Sequence, residues 1–421
     1  MKTLDASQEK AIIGIANNKN IAVLTGGPGF GKTFTIKALL QDLFNEGLNP
    51  EKVYLACPTG KAAKVLDKSL AEDDEEPIKL ENRPATIHRL LGCNGPLWEF
   101  NKQNKLEADC IIIDEASMVD SLLMARVLES VSTGCKFVFV GDKDQLPPVG
   151  AGCAFRDIIA ANLPDTVYRL EKNHRQAAGS LIADACGHII NGERPTFGEV
   201  GAKTLGGERL DDLFHIEEEE KEDIPALLVD VVRGWHDKKK DYCVLAPQKT
   251  GVCGVEAINK HLQESLNPAS DSKQQMKVSA WLTIREGDKV MHIKNNYGLD
   301  VFNGFTGVVV SVDPIFEQIV VDFDGQIVTY TDNADLKELV LGYCMTIHKG
   351  QGSQYQHGAI ICHSSHYYMW SRQLLYTAVS RFREELHIIG NKKALKRAIS
   401  NSVEDSRQTY LSLALVGETE K

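Results

Sequence analysis

Lys32 and Thr33 close the run GGPGFGKT, residues 26–33, which fits the spacing G-x-x-x-x-G-K-[ST]. Glycines let backbone N–H groups turn inward on phosphate oxygens, and the start of a following helix favours anions. In that setting Gly27, Pro28, Gly29, Phe30 and Gly31 form a phosphate cradle. Lys32 is expected to reach the β- and γ-phosphates, and Thr33 to ligate Mg²⁺. Asp114 and Glu115 end the apolar run CIII. There Asp114 is expected to hold the Mg²⁺, and Glu115 to orient or deprotonate the water that attacks the γ-phosphate. No N-K-x-D base-reading motif occurs, which favours ATP over GTP. Gln145, in GDKDQLPPVGAG (141–152), is placed to sense the γ-phosphate with its amide or simply to sit in a proline-rich turn. Phosphoryl transfer also needs a cation on the spreading charge. Arg175 in LEKNHRQ and Arg381 in YTAVSRF are the candidates, each alternatively a salt-bridge partner.

These residues need strands and helices to hold them. IAVLTG, KVYLACPT, CIIIDEAS, KFVFVGDKDQ, DYCVLAPQ, GAIICHSS and ELHIIG alternate with helical stretches, which predicts parallel sheets flanked by helices, twice over. Residues 283–340 have another texture, short strands joined by Gly, Asn and Asp turns, and predict a small β-barrel inserted in the second α/β domain. Residues 92–109 predict a hairpin inserted in the first. The expected domains are therefore 1–160, then 161–282 with 341–421, and 283–340 between them.

With 421 residues, 43% hydrophobic and 25% charged, the chain has the composition of a multi-domain globular protein. No apolar run reaches the roughly 18 residues a membrane span needs, and the amino terminus lacks a signal-peptide core. Ten cysteines without a C-x-x-C pair read as reduced thiols of a cytoplasmic protein. The formal net charge of −11 comes mostly from EDDEE (72–76) and EEEEKED (217–223), read as solvated loops. It excludes a uniformly basic surface, not a nucleic-acid groove. In CHSSHYYMW (362–370) the cysteine and histidines lack a fourth ligand, so helix entry outranks a metal.

Taken in order, these segments resemble the RecD-like, 5′→3′ branch of the superfamily 1 DNA helicases. LDASQEKAI resembles its adenine-reading motif, with Gln8 as reader. GGPGFGKT, ACPTGKAAKVL, ATIHRLLG, IIIDEASMVD, GDKDQLPPVGAG, LEKNHRQAAGS, TIHKGQGSQY and LLYTAVSR follow in the family's order, and VFNGFTG resembles a turn of its SH3-like barrel. The resemblance runs from Leu4 to about residue 400. It departs at Phe30, at Gly350 where serine or alanine is common, and at Gln354 where a glutamate often approaches the ribose.

The resemblance implies two RecA-like domains, an SH3-like barrel in the second, and a minimal motor without the long amino-terminal domain of larger relatives. It adds Gly352 to the ATP contacts and assigns single-stranded DNA to Pro58, Thr59, Lys61, Thr86, His88, Thr346, His348 and Lys349. Hydroxyls and lysines there bind phosphate and sugar without reading sequence, although Thr59 is equally placed to cap a helix. It puts a strand-separating pin at Trp98 and Phe100, whose other reading is a hairpin packing its own aromatics. The implied function is an ATP- and Mg²⁺-dependent 5′→3′ DNA helicase, a monomer acting on single strands and single-strand/duplex junctions. Replication or recombination proteins are its expected partners, in a bacterial or phage-infected cytoplasm. The alternative is a single-strand-stimulated ATPase or translocase that needs a partner to unwind; an ATP-gated binding module is the third reading.

Overall fold

The computed structural model describes residues 3–18, 20–71, 78, 80–174, 179–199, 211–403, 407 and 409–417. The run at 72–76 and Arg175 lie outside the described residues. The chain divides into two units, Met1–Gln176 with Val403–Lys421, and Ala177–Ser402.

The first unit is a six-stranded parallel sheet. Its chain order is β1 (Ile21–Thr25), β2 (Val53–Cys57), β3 (Ala85–Thr86), a hairpin of β4 (Cys93–Asn94) and β5 (Leu97–Trp98), then β6 (Cys110–Ile113), β7 (Lys136–Gly141) and β8 (Val167–Arg169). In space the sheet runs β3-β2-β6-β7-β1-β8. Ile111, Ile112 and Ile113 are all fully buried, as a strand covered on both faces requires. One face packs on helices α1 (Ala6–Asn17), α2 (Lys32–Asn45) and α3 (Gly60–Ala71) through Ile15, Leu39, Leu40 and Leu66. The other packs on helices Ser121–Glu129 and Ala154–Ala161 through Met124, Val127, Phe155 and Ile158.

This unit runs past the boundary expected at 160, because Val167–Arg169 pairs with β1, from Val23↔Val167 to Thr25↔Arg169. A Cβ on Gly14 of α1 would lie 2.1 Å from the Tyr168 ring, so helix and edge strand meet closely. The carboxyl-terminal segment also belongs here rather than to the second unit. Arg407 donates to the Gly150 and Gly152 carbonyls at 2.7 and 3.1 Å, and Thr409 Oγ1 to Asp157 Oδ2 at 2.7 Å.

After helix Leu181–Ile190, the second unit continues with β9 (Leu213–Glu217) and β10 (Tyr242–Ala246). An insertion follows, comprising β11 (Gln275–Ser279), β12 (Leu282–Arg285), β13 (Lys289–His292), β14 (Thr306–Asp313), β15 (Gln318–Phe323), β16 (Gln326–Tyr330) and β17 (Leu339–Leu341). The chain returns through β18 (Cys344–Thr346), β19 (Tyr355–Cys362) and β20 (Phe382–Gly390). The parent sheet is parallel, in the order β18-β10-β19-β20-β9. The insertion is an antiparallel hairpin, β11-β12, and a five-stranded antiparallel sheet, β16-β15-β14-β13-β17, around Phe302, Phe305, Val321 and Tyr330. It starts at Gln275, earlier than the expected 283. Its root is fixed by Asp288, fully buried, which accepts from Gln263, Asn267, the Arg285 N–H and the Tyr343 hydroxyl. A buried carboxylate is tolerable only when so fully satisfied.

Two further sequence expectations fall in this unit. Ser364–Met369 is a short helix whose N-cap is His363, so the CHSSHYYMW segment enters a helix. In EEEEKED, Glu217 pairs with Lys392 and Glu219 accepts from Asn391, so part of the run is held rather than loosely solvated. Among the described residues no helix is long and apolar enough to cross a membrane.

Candidate nucleotide site and strand-contacting residues

The phosphate loop leaves β1 at Thr25 and enters α2 at Lys32. Gly29 and Gly31 take φ of 87° and 78°, a region a β-carbon disfavours, and a Cβ on Gly31 would stand 2.5 Å from Gln8 Nε2. Lys32 Nζ donates to the Gly26 and Gly27 carbonyls at 2.7 and 3.0 Å, spanning the loop. Thr33 follows in the first turn of α2.

Gln8 is buried behind the loop. Its Oε1 accepts from the Asp5 N–H at 3.0 Å in a capping box that starts α1, while Nε2 reaches the Phe30 carbonyl at 3.5 Å. The expected adenine reader is thus also a strut between α1 and the loop. His174, which the sequence reading passed over, donates its backbone N–H to the Gly29 carbonyl at 2.8 Å and pairs through Nε2 with Asp5 Oδ2. Burial acts to raise the Asp5 pKa, but hydrogen bonds from Ser7, the Gln8 N–H and His174 outweigh it and hold the carboxyl at about 2.

Asp114 and Glu115 lie just past β6, whose neighbour β7 adjoins β1. Burial pushes Asp114 up to about 7 and the Glu115 charge adds to the rise, against the Glu115 N–H, which donates at 2.8 Å, and Lys32. Glu115 has φ 53°, a left-handed backbone unusual outside glycine, and its Oε2 is buried with no hydrogen-bond partner among the described residues. Gln145 is buried too. Its Nε2 donates to Asp142 Oδ2 at 3.3 Å, and its Oε1 has no partner among the described residues. Strain and unmet polar atoms concentrate where a ligand completes a site. A glycine cradle with a lysine, a buried carboxylate beside it, and two unmet oxygens on the adjoining strand ends form a donor set that fits a nucleoside triphosphate with a divalent cation.

The remaining residues fall into three groups. Thr59 Oγ1 accepts from the Ala62 N–H at 3.2 Å at the start of α3, beside Pro58 and Lys61, and Thr86 Oγ1 accepts from the Arg89 N–H at 3.1 Å. Both hydroxyls are helix caps. Thr346 Oγ1 likewise accepts from the Lys349 N–H at 3.3 Å, with His348 exposed beside them. In the first unit's hairpin, Trp98 lies against His88 (centroids 5.4 Å apart) with Arg126 5.3 Å from its ring, and both Trp98 and Phe100 pack on the core. The aromatics expected as a pin are packed residues; the large exposed apolar side chain of the hairpin is Leu97, 72% exposed. In the second unit Arg381 is buried and donates to the Thr377 carbonyl, the Ser353 carbonyl and Ser380 Oγ at 3.0–3.2 Å, bracing the turn that holds Gly352. Arg383 occupies Gln354 Oε1.

Loop, acidic pair and amide on neighbouring ends of a parallel sheet define a P-loop nucleotide-binding core. Residues 8–151 match the AAA domain, 258–323 the SH3 domain of ATP-dependent RecD-like DNA helicases, and 341–389 the UvrD-like helicase C-terminal domain. The chain is 34% identical to the ATP-dependent RecD2 DNA helicase of Deinococcus radiodurans over 97% of its own length, spanning 52% of that relative. It is 30% identical to the RecBCD enzyme subunit RecD of Mycobacterium tuberculosis, covering 92% of this chain and 69% of that one. The chain belongs to the RecD-like family of superfamily 1 helicases. Its fold is also that of the Pif1 helicase from Candida albicans, with a TM-score of 0.60 at 19% identity over 98% of this chain and 99% of that one.

Proposed function

We propose that the chain is the motor of an ATP- and Mg²⁺-dependent DNA helicase that moves 5′→3′ on single strands and separates duplex at a junction. The observation that carries the reading is Glu115, held in a strained backbone at a strand end with a buried, unmatched carboxylate oxygen beside Asp114. Such an oxygen orients an attacking water; a carboxylate serving only as surface charge would face solvent. The names of the relatives, a RecD2 DNA helicase and a RecD subunit, support the same reading.

Lys32 and residues 27–31 hold the phosphates, and Gln8 and Gly352 complete the ATP contacts. Thr33 and Asp114 hold Mg²⁺, which when bound would neutralise charge on the phosphates. Glu115 positions water and Gln145 senses the γ-phosphate, while Arg175 and Arg381 supply cationic charge. For Arg381 this requires exchanging one of its present acceptors. Pro58, Thr59, Lys61, Thr86, His88, Thr346, His348 and Lys349 contact single-stranded DNA, their hydroxyls and amides serving both cap and phosphate. The protein works as a cytoplasmic monomer with replication or recombination proteins as partners.

A second reading rests on the hairpin. With Trp98 and Phe100 packed on the core, Leu97 is the large apolar side chain left exposed to part base pairs, which suits a translocase that unwinds only with a partner.

Two otherwise identical duplexes, one with a 5′ and one with a 3′ single-stranded tail, decide between these, with ATP hydrolysis followed in parallel and Lys32→Ala as control. Opening of the 5′-tailed duplex alone is expected, lost together with hydrolysis in Lys32→Ala. Opening of the 3′-tailed duplex overturns the polarity. Strand-stimulated hydrolysis without opening selects the second reading, and unwinding retained by Lys32→Ala sinks the mechanism.

A further inference from the structure

A cavity of about 400 Å³ on the first unit is lined by Lys143, Arg156, Ile159, Ala160, Asn162 and Arg169. Lys143 follows β7, Arg156 lies on helix Ala154–Ala161, Asn162 is that helix's C-cap, and Arg169 ends β8. Three of these six side chains are cations and none is a carboxylate, in a chain whose formal net charge is −11. Lys143 Nζ meets Asp144 Oδ1 at 2.7 Å, one bond for a group with three donors.

The cavity is distinct from the nucleotide loop. Tyr168 packs with the α1–α2 cluster and Val167 with the opposite one. Strand alternation therefore puts Arg169 on the face of helix Ala154–Ala161, away from α2. It is also distinct from the expected strand contacts on this unit, which follow β2 and β3. In the sheet order Arg169 ends edge strand β8, five spacings or roughly 24 Å from β3, while Lys143 follows β7, two spacings or roughly 10 Å from β2.

We propose that this cavity is a second phosphate-binding site. A guanidinium fork matches phosphate oxygens in pairs, and the further cations of the lining add positive charge. Ile159 and Ala160 offer no ring on which a base could stack, so phosphate is recognised and the base is not. The phosphate belongs either to the backbone of a nucleic-acid strand lying along the β8 edge or to a free polyphosphate. The first source rests on the helicase reading; the phosphate chemistry does not.

The test uses the full chain with Arg156→Gln/Arg169→Gln, and two readouts. Calorimetry with inorganic tripolyphosphate is run in a Lys32→Ala background, so that the phosphate loop is weakened throughout. Fluorescence anisotropy follows the salt dependence of binding to single-stranded DNA, where each phosphate contact contributes about 0.7 to the log–log slope. The expected result is loss of tripolyphosphate binding and a slope smaller by about 1.4, which assigns a strand. Loss of tripolyphosphate binding with the slope unchanged keeps the site and assigns the free anion. If neither readout moves, the proposal is overturned. Should the double variant melt early, Lys143→Gln replaces it, with a slope smaller by about 0.7 expected. A wild-type chain that binds no strand would refute the helicase reading, while the tripolyphosphate arm would still decide the cavity.

Discussion

His174 and Asp5, 169 residues apart in sequence, are joined by a histidine–carboxylate contact directly behind the phosphate loop. The histidine's own N–H holds Gly29, and the aspartate caps the helix whose Gln8 reaches Phe30. The loop is therefore gripped from both sides, and the next residue along from one grip is Arg175.

Asp5→Asn is expected to lower the melting temperature, and the difference from wild type should depend on pH with a definite sign. The carboxyl sits at about 2 in the folded chain against an ordinary 3.8. A depressed value contributes stability that is complete above about pH 4 and is lost as pH falls towards 2. Melting curves from pH 6 down to 2.5 should show the gap narrowing. His174→Ala should weaken ATP binding several-fold, consistent with about 1 kcal/mol for a partly exposed pair. Unchanged ATP affinity would deny that the His174–Asp5 contact supports the loop.

Glu115→Gly separates strain from chemistry. Removing a β-carbon from a left-handed position relieves about 1–2 kcal/mol, partly offset by the glycine's freedom in the unfolded chain. A variant at least as stable as wild type, with hydrolysis reduced about 10²-fold or more, is expected. Chemical denaturation and steady-state turnover on the same preparation check it; a destabilised variant would show the conformation to be unstrained.

Gly31→Ala should be damaging despite its small size. It sets a β-carbon at φ 78° and 2.5 Å from Gln8 Nε2. A loss of about 1–2 kcal/mol from the backbone alone is expected, read as weaker nucleotide binding in a fluorescent-nucleotide titration.

The hairpin gives opposed outcomes for adjacent residues. Trp98→Ala should destabilise the first unit by roughly 1–3 kcal/mol, since the ring packs on core and neighbours His88 and Arg126. Leu97→Ala should leave melting unchanged and slow duplex opening without slowing strand-stimulated hydrolysis. Equal unwinding by Leu97→Ala and wild type would remove the hairpin tip from strand separation.

Much of this was legible in the residues, for identifiable reasons. Each of the seven apolar runs read as a strand contains one, because a strand covered on both faces is apolar throughout and the flanking turns announce its ends. Short strands such as β8, β9 and β18 have no such signature. VYR, LFHIE and CMT carry too little pattern by themselves and become strands through their neighbours' hydrogen bonds. Missing β8 put the unit boundary too early. Side-chain direction was the other gap. Spacing places Trp98, Phe100 and Arg381 on suitable elements, but only packing decides whether a ring or guanidinium faces solvent or the core, and all three turn inward.

The return of residues 407 and 409–417 to the first unit has a consequence for synthesis. A ribosome delivers the amino-terminal 176 residues first, yet the segment that ties down Gly150, Gly152 and Asp157 emerges only after the whole of Ala177–Ser402. The contacts on that flank of the first unit form only after translation has passed residue 409.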